Sequence, residues 1–157
     1  FDRVPAGRLG GLSAPVAAPA RHPAQHLLWN PDNLKPATAR RLTAHGTSDI
    51  SAAAFGQIAR STAARRLRSA DGAYDYTAHL PRITAPLFLV AGAADALAPP
   101  GLLMQVFDAA RSTDKRIEVA ARANGYRHDY GHLDLVVGDH APQEVFGQVQ
   151  AWIAAHD

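Results

Sequence analysis

Seven consecutive residues, Pro86-Leu87-Phe88-Leu89-Val90-Ala91-Gly92, carry no polar side chain. The run does not alternate apolar with polar, and turn residues bound it. That pattern predicts a short strand apolar on both faces, as found in a parallel sheet with helices on each side. Pro99-Pro100 then open a helix, with Leu102, Leu103, Val106, Phe107 and Ala110 on its inner side. Lys115 to Ala121 predicts a second strand, because Ile117 and Val119 alternate with Arg116 and Glu118. A polar loop from Arg122 to Asp139 follows. Pro142 begins a last helix with Val145, Phe146, Val149, Trp152 and Ile153 as its buried stripe. Strand, helix, strand, helix is the order of a βαβα unit in a parallel sheet.

The residues before this unit differ in kind. Residues 1–81 hold ten Lys/Arg and five Asp/Glu, whereas residues 82–157 hold six and nine. A boundary is expected near Pro81-Arg82, between a basic, mainly helical N-terminal part (1–81) and an α/β part (82–157). Prolines at 5, 15, 19, 23 and 31 keep residues 1–34 from forming a long helix. Short apolar pieces, Leu9 to Leu12 and His26 to Trp29, remain available for packing. Lys35 to His45 predicts a helix, with Pro36 in its first turn and Gly46 as its stop. A second helix is expected after Ser48 or Asp49 as N-cap, with Ile50, Ala54, Phe55, Ile58 and Ala59 on one face. Arg60, Arg65, Arg66 and Arg68 follow. The functional reading of these arginines is an anion-binding patch; the plainer one is a solvated helix surface.

Composition narrows the function classes. The chain of 157 residues is 47% hydrophobic and 19% charged, which suits a packed domain. With no cysteine there is no disulfide, thiol nucleophile or thiolate metal site within it. No apolar stretch is long enough to span a membrane. A net charge of +2 gives no reason to expect nucleic acid.

Two loops carry candidate chemistry, and both follow a predicted strand, where active sites of open α/β sheets gather. The first contains Asp95, three residues beyond Gly92. The second is His128-Asp129-Tyr130-Gly131-His132-Leu133-Asp134-Leu135. On adjacent strand ends, Asp95 and His132 are expected to hydrogen-bond. The carboxylate would accept the imidazole Nδ1–H and leave Nε2 free as a general base. Asp134 reads as a local cap and Tyr130 as packing, and His128 and Asp129 are expected to face solvent.

The run from Ile83 to Asp95 resembles the penultimate strand and acid loop of α/β-hydrolases. Tyr130-Gly131-His132-Leu133-Asp134-Leu135-Val136-Val137-Gly138 resembles their histidine loop, with the nearest likeness to acid-lipase-like members and related bacterial hydrolases. The resemblance covers residues 82–157. It implies Asp95 as triad acid, His132 as base, an ester of small-molecule or lipid-like character as substrate, and no cofactor or metal. Residues 1–81 correspond by position to a helical cap. The family's nucleophile elbow, G-x-S-x-G, is absent. Gly11-Leu12-Ser13-Ala14-Pro15 comes nearest and lacks the second glycine. The chain, which starts at Phe1, is therefore expected to be the C-terminal portion of a hydrolase whose N-terminal half supplies the nucleophile. Relatives carry serine, cysteine or aspartate in that role. Without that half, the open strand edge is expected to leave the chain marginally stable or self-associating. Compartment stays open.

Two other classes remain. His128, Asp129, His132, Asp134, Asp139 and His140 are all metal-ligating residue types, so a metal-binding module is one alternative. Tyr130-Gly131 argues against the helix that would align His128 with His132. The other alternative is a non-catalytic interaction domain derived from a hydrolase.

Overall fold

The computed structural model describes residues 3–4, 23–46 and 50–157. The apolar piece at Leu9 to Leu12, the string around Ser13 and the proposed N-caps Ser48 and Asp49 lie outside them. Arg3–Val4 (β1) pairs antiparallel with Ile50–Ser51 (β2). Between them, two 3-10 turns, Pro23–Leu27 and Pro31–Asn33, lead into helix α1, Pro36–His45. Proline at the first helical position sacrifices only an N–H that would be unpaired anyway. Gly46 stops the helix, its N–H donating to the Leu42 carbonyl over 2.7 Å.

Helix α2, Ala52–Ala64, buries none of its residues. The expected inner face is corrected here: Ile50 belongs to β2, and Phe55 and Ile58 are more than half exposed. Periodicity fixes which side chains share a face. A face is buried only where a second element reaches it, and none of the described elements covers this one.

The apolar run forms strand β3, Leu87–Gly92, and pairs in parallel with β4, Lys115–Ala120, in register from Leu87 opposite Lys115 to Gly92 opposite Ala120. Helix α3, Pro100–Ala109, crosses between them and packs on both strands. The protein is thus mixed α/β with a small two-stranded parallel sheet. Burial of β3 on both faces holds only at its end: Ala91 and Gly92 are buried, while Leu87 to Val90 are half-buried. Among the described residues no further strand joins this sheet, so the other edge of β3 is unpaired.

Lysine 115 closes the C-terminal end of α3. Its ammonium donates to the carbonyls of Phe107 (2.5 Å) and Ala110 (2.8 Å), where the helix dipole favours a cation. On α3, Leu103, Val106 and Phe107 are half-buried and Ala110 is buried, but Leu102 is half exposed.

The stretch expected as a polar loop holds a 3-10 turn, Arg122–Asn124, and a four-residue helix α4, Asp134–Val137. A π-helical turn, Pro142–Phe146, precedes helix α5, Gly147–Ala155. The wider turn changes the rotational register of α5. Val145, Phe146 and Val149 pack into the core and Trp152 lies against Phe88, ring centroids 5.4 Å apart. Ile153, expected in the same stripe, is instead 56% exposed.

Two apolar clusters result. Ala120, Tyr126, Tyr130, Ala141 and Val145 form one, and Trp29, Leu34 and Ala39 the other. Helix α4 and the residue before it join them: Leu135 packs on the first cluster, Leu133 and Val137 on the second. No helix among the described residues is long and apolar enough to cross a membrane.

Candidate functional site

Strands β3 and β4 end side by side, and their loops are stitched together at once. The Ala120 carbonyl accepts from the N–H groups of both Ala93 (3.2 Å) and Tyr130 (3.1 Å), and the Tyr130 carbonyl accepts from Ala94 N–H (2.8 Å). Gly92 makes this approach possible. A Cβ at that position would overlap the Tyr130 carbonyl oxygen, so only glycine fits.

From Gly92 the chain turns, with Asp95 N–H donating to the Gly92 carbonyl over 3.1 Å. The Asp95 carboxylate is buried and held at both oxygens. Oδ1 accepts from the backbone N–H groups of Leu97 and Ala98, each at 2.8 Å, and Oδ2 faces His132 Nδ1 at 2.9 Å. One Asp95 oxygen thus holds its own turn and the other holds His132. An aspartate fixed by two backbone donors keeps one orientation, so the imidazole it holds does too. A carboxylate at Nδ1 selects the tautomer with its proton there, leaving the Nε2 lone pair available. The His132 side chain is 41% exposed, and Nε2 has no hydrogen-bond partner among the described residues. Such a pair can take a proton from a nucleophile, or from water, that meets Nε2.

Below His132 the loop is anchored by Asp134, which is fully buried. Its Oδ1 accepts from the N–H groups of Gly131 (2.9 Å) and Asn30 (3.1 Å), and its Oδ2 from the Asn33 side-chain amide (2.9 Å). Leu133 N–H adds a bond to the Leu28 carbonyl at 2.7 Å. Asp134 thus does act as a cap, but one that reaches residues about a hundred positions away. The role of Asn30 and Asn33 was missed from sequence. Their only signal was Asn30-Pro31-Asp32-Asn33, a turn-forming string in which Asn30 also caps its own 3-10 turn through Asp32 N–H.

Tyr130 is packed as expected, and its hydroxyl donates to Glu144 Oε2 at 2.7 Å. Burial, followed by the adjoining Glu144 carboxylate, drives its phenol far above the ordinary range. Burial also raises Tyr126, whose hydroxyl meets Gln148. His128 and Asp129 do not simply face solvent. The His128 ring stacks on His140 with centroids 5.9 Å apart. Asp129 accepts from Arg122 N–H at 2.8 Å through Oδ1, and from the Asn30 amide at 2.7 Å through its backbone carbonyl. Among the described residues, no group of three His, Cys, Asp or Glu side chains is placed to hold a metal ion.

The site, then, is a buried carboxylate and a half-exposed imidazole at the carboxyl ends of two parallel strands of a mixed α/β protein. Comparison of the chain with protein-family models, with curated proteins and with solved structures gave no match.

Proposed function

We propose that this chain carries the acid and base of a serine-type α/β-hydrolase, Asp95 and His132, and that the nucleophile comes from polypeptide outside these 157 residues. The observation that supports it most is the 2.9 Å contact from Asp95 Oδ2 to His132 Nδ1, with Nε2 left unpartnered among the described residues. In this reading His132 Nε2 takes the serine proton as the hydroxyl attacks an ester carbonyl. It then returns that proton to the leaving alcohol. In the second half it deprotonates the water that attacks the acyl carbon and passes that proton to the departing serine oxygen. Asp95 stabilises the imidazolium formed in between.

Strand β3 supports the second part of the proposal. Its apolar side chains from Leu87 to Val90 are only half-buried and its far edge is unpaired among the described residues. Further strands there would cover the strand and bring a nucleophile to the same sheet end. A non-catalytic interaction domain would account for the open edge, but not for a carboxylate that fixes an outward imidazole.

A fluorophosphonate probe, combined with turnover of a short-chain nitrophenyl ester, tests this. The 157-residue chain alone is expected to take no probe at serine and to show no His132-dependent turnover. The protein expressed from its complete gene is expected to be labelled at one serine, and His132→Ala to abolish that labelling. Labelling that His132→Ala leaves intact would overturn the assignment of the base. Serine labelling of the 157-residue chain itself would overturn the external nucleophile.

A further inference from the structure

Four arginines, Arg60, Arg65, Arg66 and Arg68, cluster where α2 ends and the chain folds back through the Arg68–Asp75 bridge. All four are exposed residues. Two cavities abut there and share Ser61 and Arg66 as a common wall. The smaller, about 300 Å³, has Gln57, Arg60, Arg68 and Ser69 in its wall. The larger, about 650 Å³, lies between α2 and α3 and is lined by Ile58, Leu67, Leu97 and Leu102, with Arg65 at its side. These four apolar side chains are 60%, 53%, 51% and 50% exposed, so one cavity gathers a concentrated share of the uncovered apolar surface.

The guanidinium groups are only partly neutralised. Arg66 and Arg68 share one carboxylate, that of Asp75, at 2.7 and 3.7 Å. Among the described residues Arg60 reaches only the Ala70 carbonyl, at 3.4 Å. Arg65 has no ion pair among the described residues. Asp71, in the wall of the smaller cavity, is occupied by the Ser69 hydroxyl (2.5 Å) and Ala73 N–H (3.0 Å).

We propose that this double cavity binds a small amphipathic anion, its apolar chain along Ile58, Leu67, Leu97 and Leu102 and its carboxylate or phosphate at Arg66 in the shared wall, with Arg60 lining one cavity and Arg65 the other. A cavity of this size suits a monomeric ligand. The guanidinium groups supply what a planar or tetrahedral oxyanion takes from arginine, paired N–H donors in a fixed fork. The assignment is independent of the hydrolase reading. It does place the ligand beside the acid loop, because Leu97 in its wall is the residue whose N–H holds Asp95 Oδ1.

Calorimetric titration of the chain with decanoate, decyl phosphate, decanol and inorganic phosphate tests it, each amphiphile kept below its micellar concentration. Decanoate or decyl phosphate is expected to bind at least tenfold more tightly than either decanol or inorganic phosphate. Which of the two binds better identifies the head group. Shortening the chain is expected to weaken binding about fourfold per methylene removed. The double substitution Arg60→Gln, Arg65→Gln lies on exposed side chains and is expected to cost tenfold or more, with the thermal midpoint unchanged. Leu97→Ser is expected to flatten the chain-length dependence. Equal affinity for decanol and decanoate, or arginine variants that bind as the parent does, would overturn the proposal, as would no binding of either anion. None of these outcomes depends on ester turnover, so the two proposals fail separately.

Discussion

The side-chain amide of Asn33 donates to the buried carboxylate of Asp134 over 2.9 Å, across 101 positions of sequence. With Asn30 N–H on the other oxygen, the bond clamps the 3-10 turn Pro31–Asn33 beneath the loop that presents His132. The helix-and-turn segment before residue 46 and the histidine loop are therefore one packed unit, with Trp29, Leu34 and Ala39 against Leu133 and Val137.

Replacing Asp134 by alanine strands two buried donors, the Gly131 N–H and the Asn33 amide, and the part-buried Asn30 N–H. An unpaired buried donor costs about 1–3 kcal/mol, part of which water recovers. Asp134→Ala is expected to lower unfolding free energy by about 3 kcal/mol or more in urea titration. Asp134→Asn is expected to lose less, because one carbonyl oxygen still accepts.

Gly92→Ala forces a methyl group onto the Tyr130 carbonyl and pushes the acid and histidine loops apart. A destabilisation of about 1–3 kcal/mol is expected, together with loss of the downfield proton resonance of a carboxylate-bound His132 Nδ1. Gly101→Ala on α3 is the control. It meets nothing within 4 Å, so both properties are expected to be kept.

Tyr130 and Tyr126 are raised in pKa, both chiefly by burial. In a spectrophotometric titration these two are expected to ionise above the ordinary tyrosine value of about 10. The sign comes from linkage. The folded state holds the phenolic proton more tightly than the unfolded chain. The stability contributed is whole below pH ~10, where unfolded tyrosine titrates, and is lost as pH climbs beyond it. Tyr130→Phe is expected to flatten that alkaline decline.

His156 is raised above its ordinary 6.5, first by its Nδ1 bond to the Trp152 carbonyl and next by Asp114, whose Oδ2 lies 2.8 Å from Nε2. This fastening of the C-terminus is complete below that ordinary value and loosens as pH rises through the elevated one. Titration followed by nuclear magnetic resonance is expected to place His156 above 6.5 in the parent and lower in Asp114→Asn. It should still be somewhat raised there, because the Trp152 carbonyl remains.

What the sequence determined by itself was local. A short apolar run bounded by turn residues reads as a strand, proline and glycine bracket α1 by backbone chemistry, and Asp95 three residues past Gly92 turns back on its own loop. The pairing of Asp95 with His132 was legible too, because consecutive parallel strands bring their carboxyl ends together. Burial was not legible in the same way. Phe55, Ile58, Leu102 and Ile153 sit at core periodicity yet remain exposed, since periodicity selects a face and only a neighbouring element covers it. Nor did any local rule announce Asn30 and Asn33 as the clamp on Asp134. That contact exists because the tertiary fold leaves a buried carboxylate with unfilled acceptor sites, and the nearest donors belong to a turn about a hundred residues upstream.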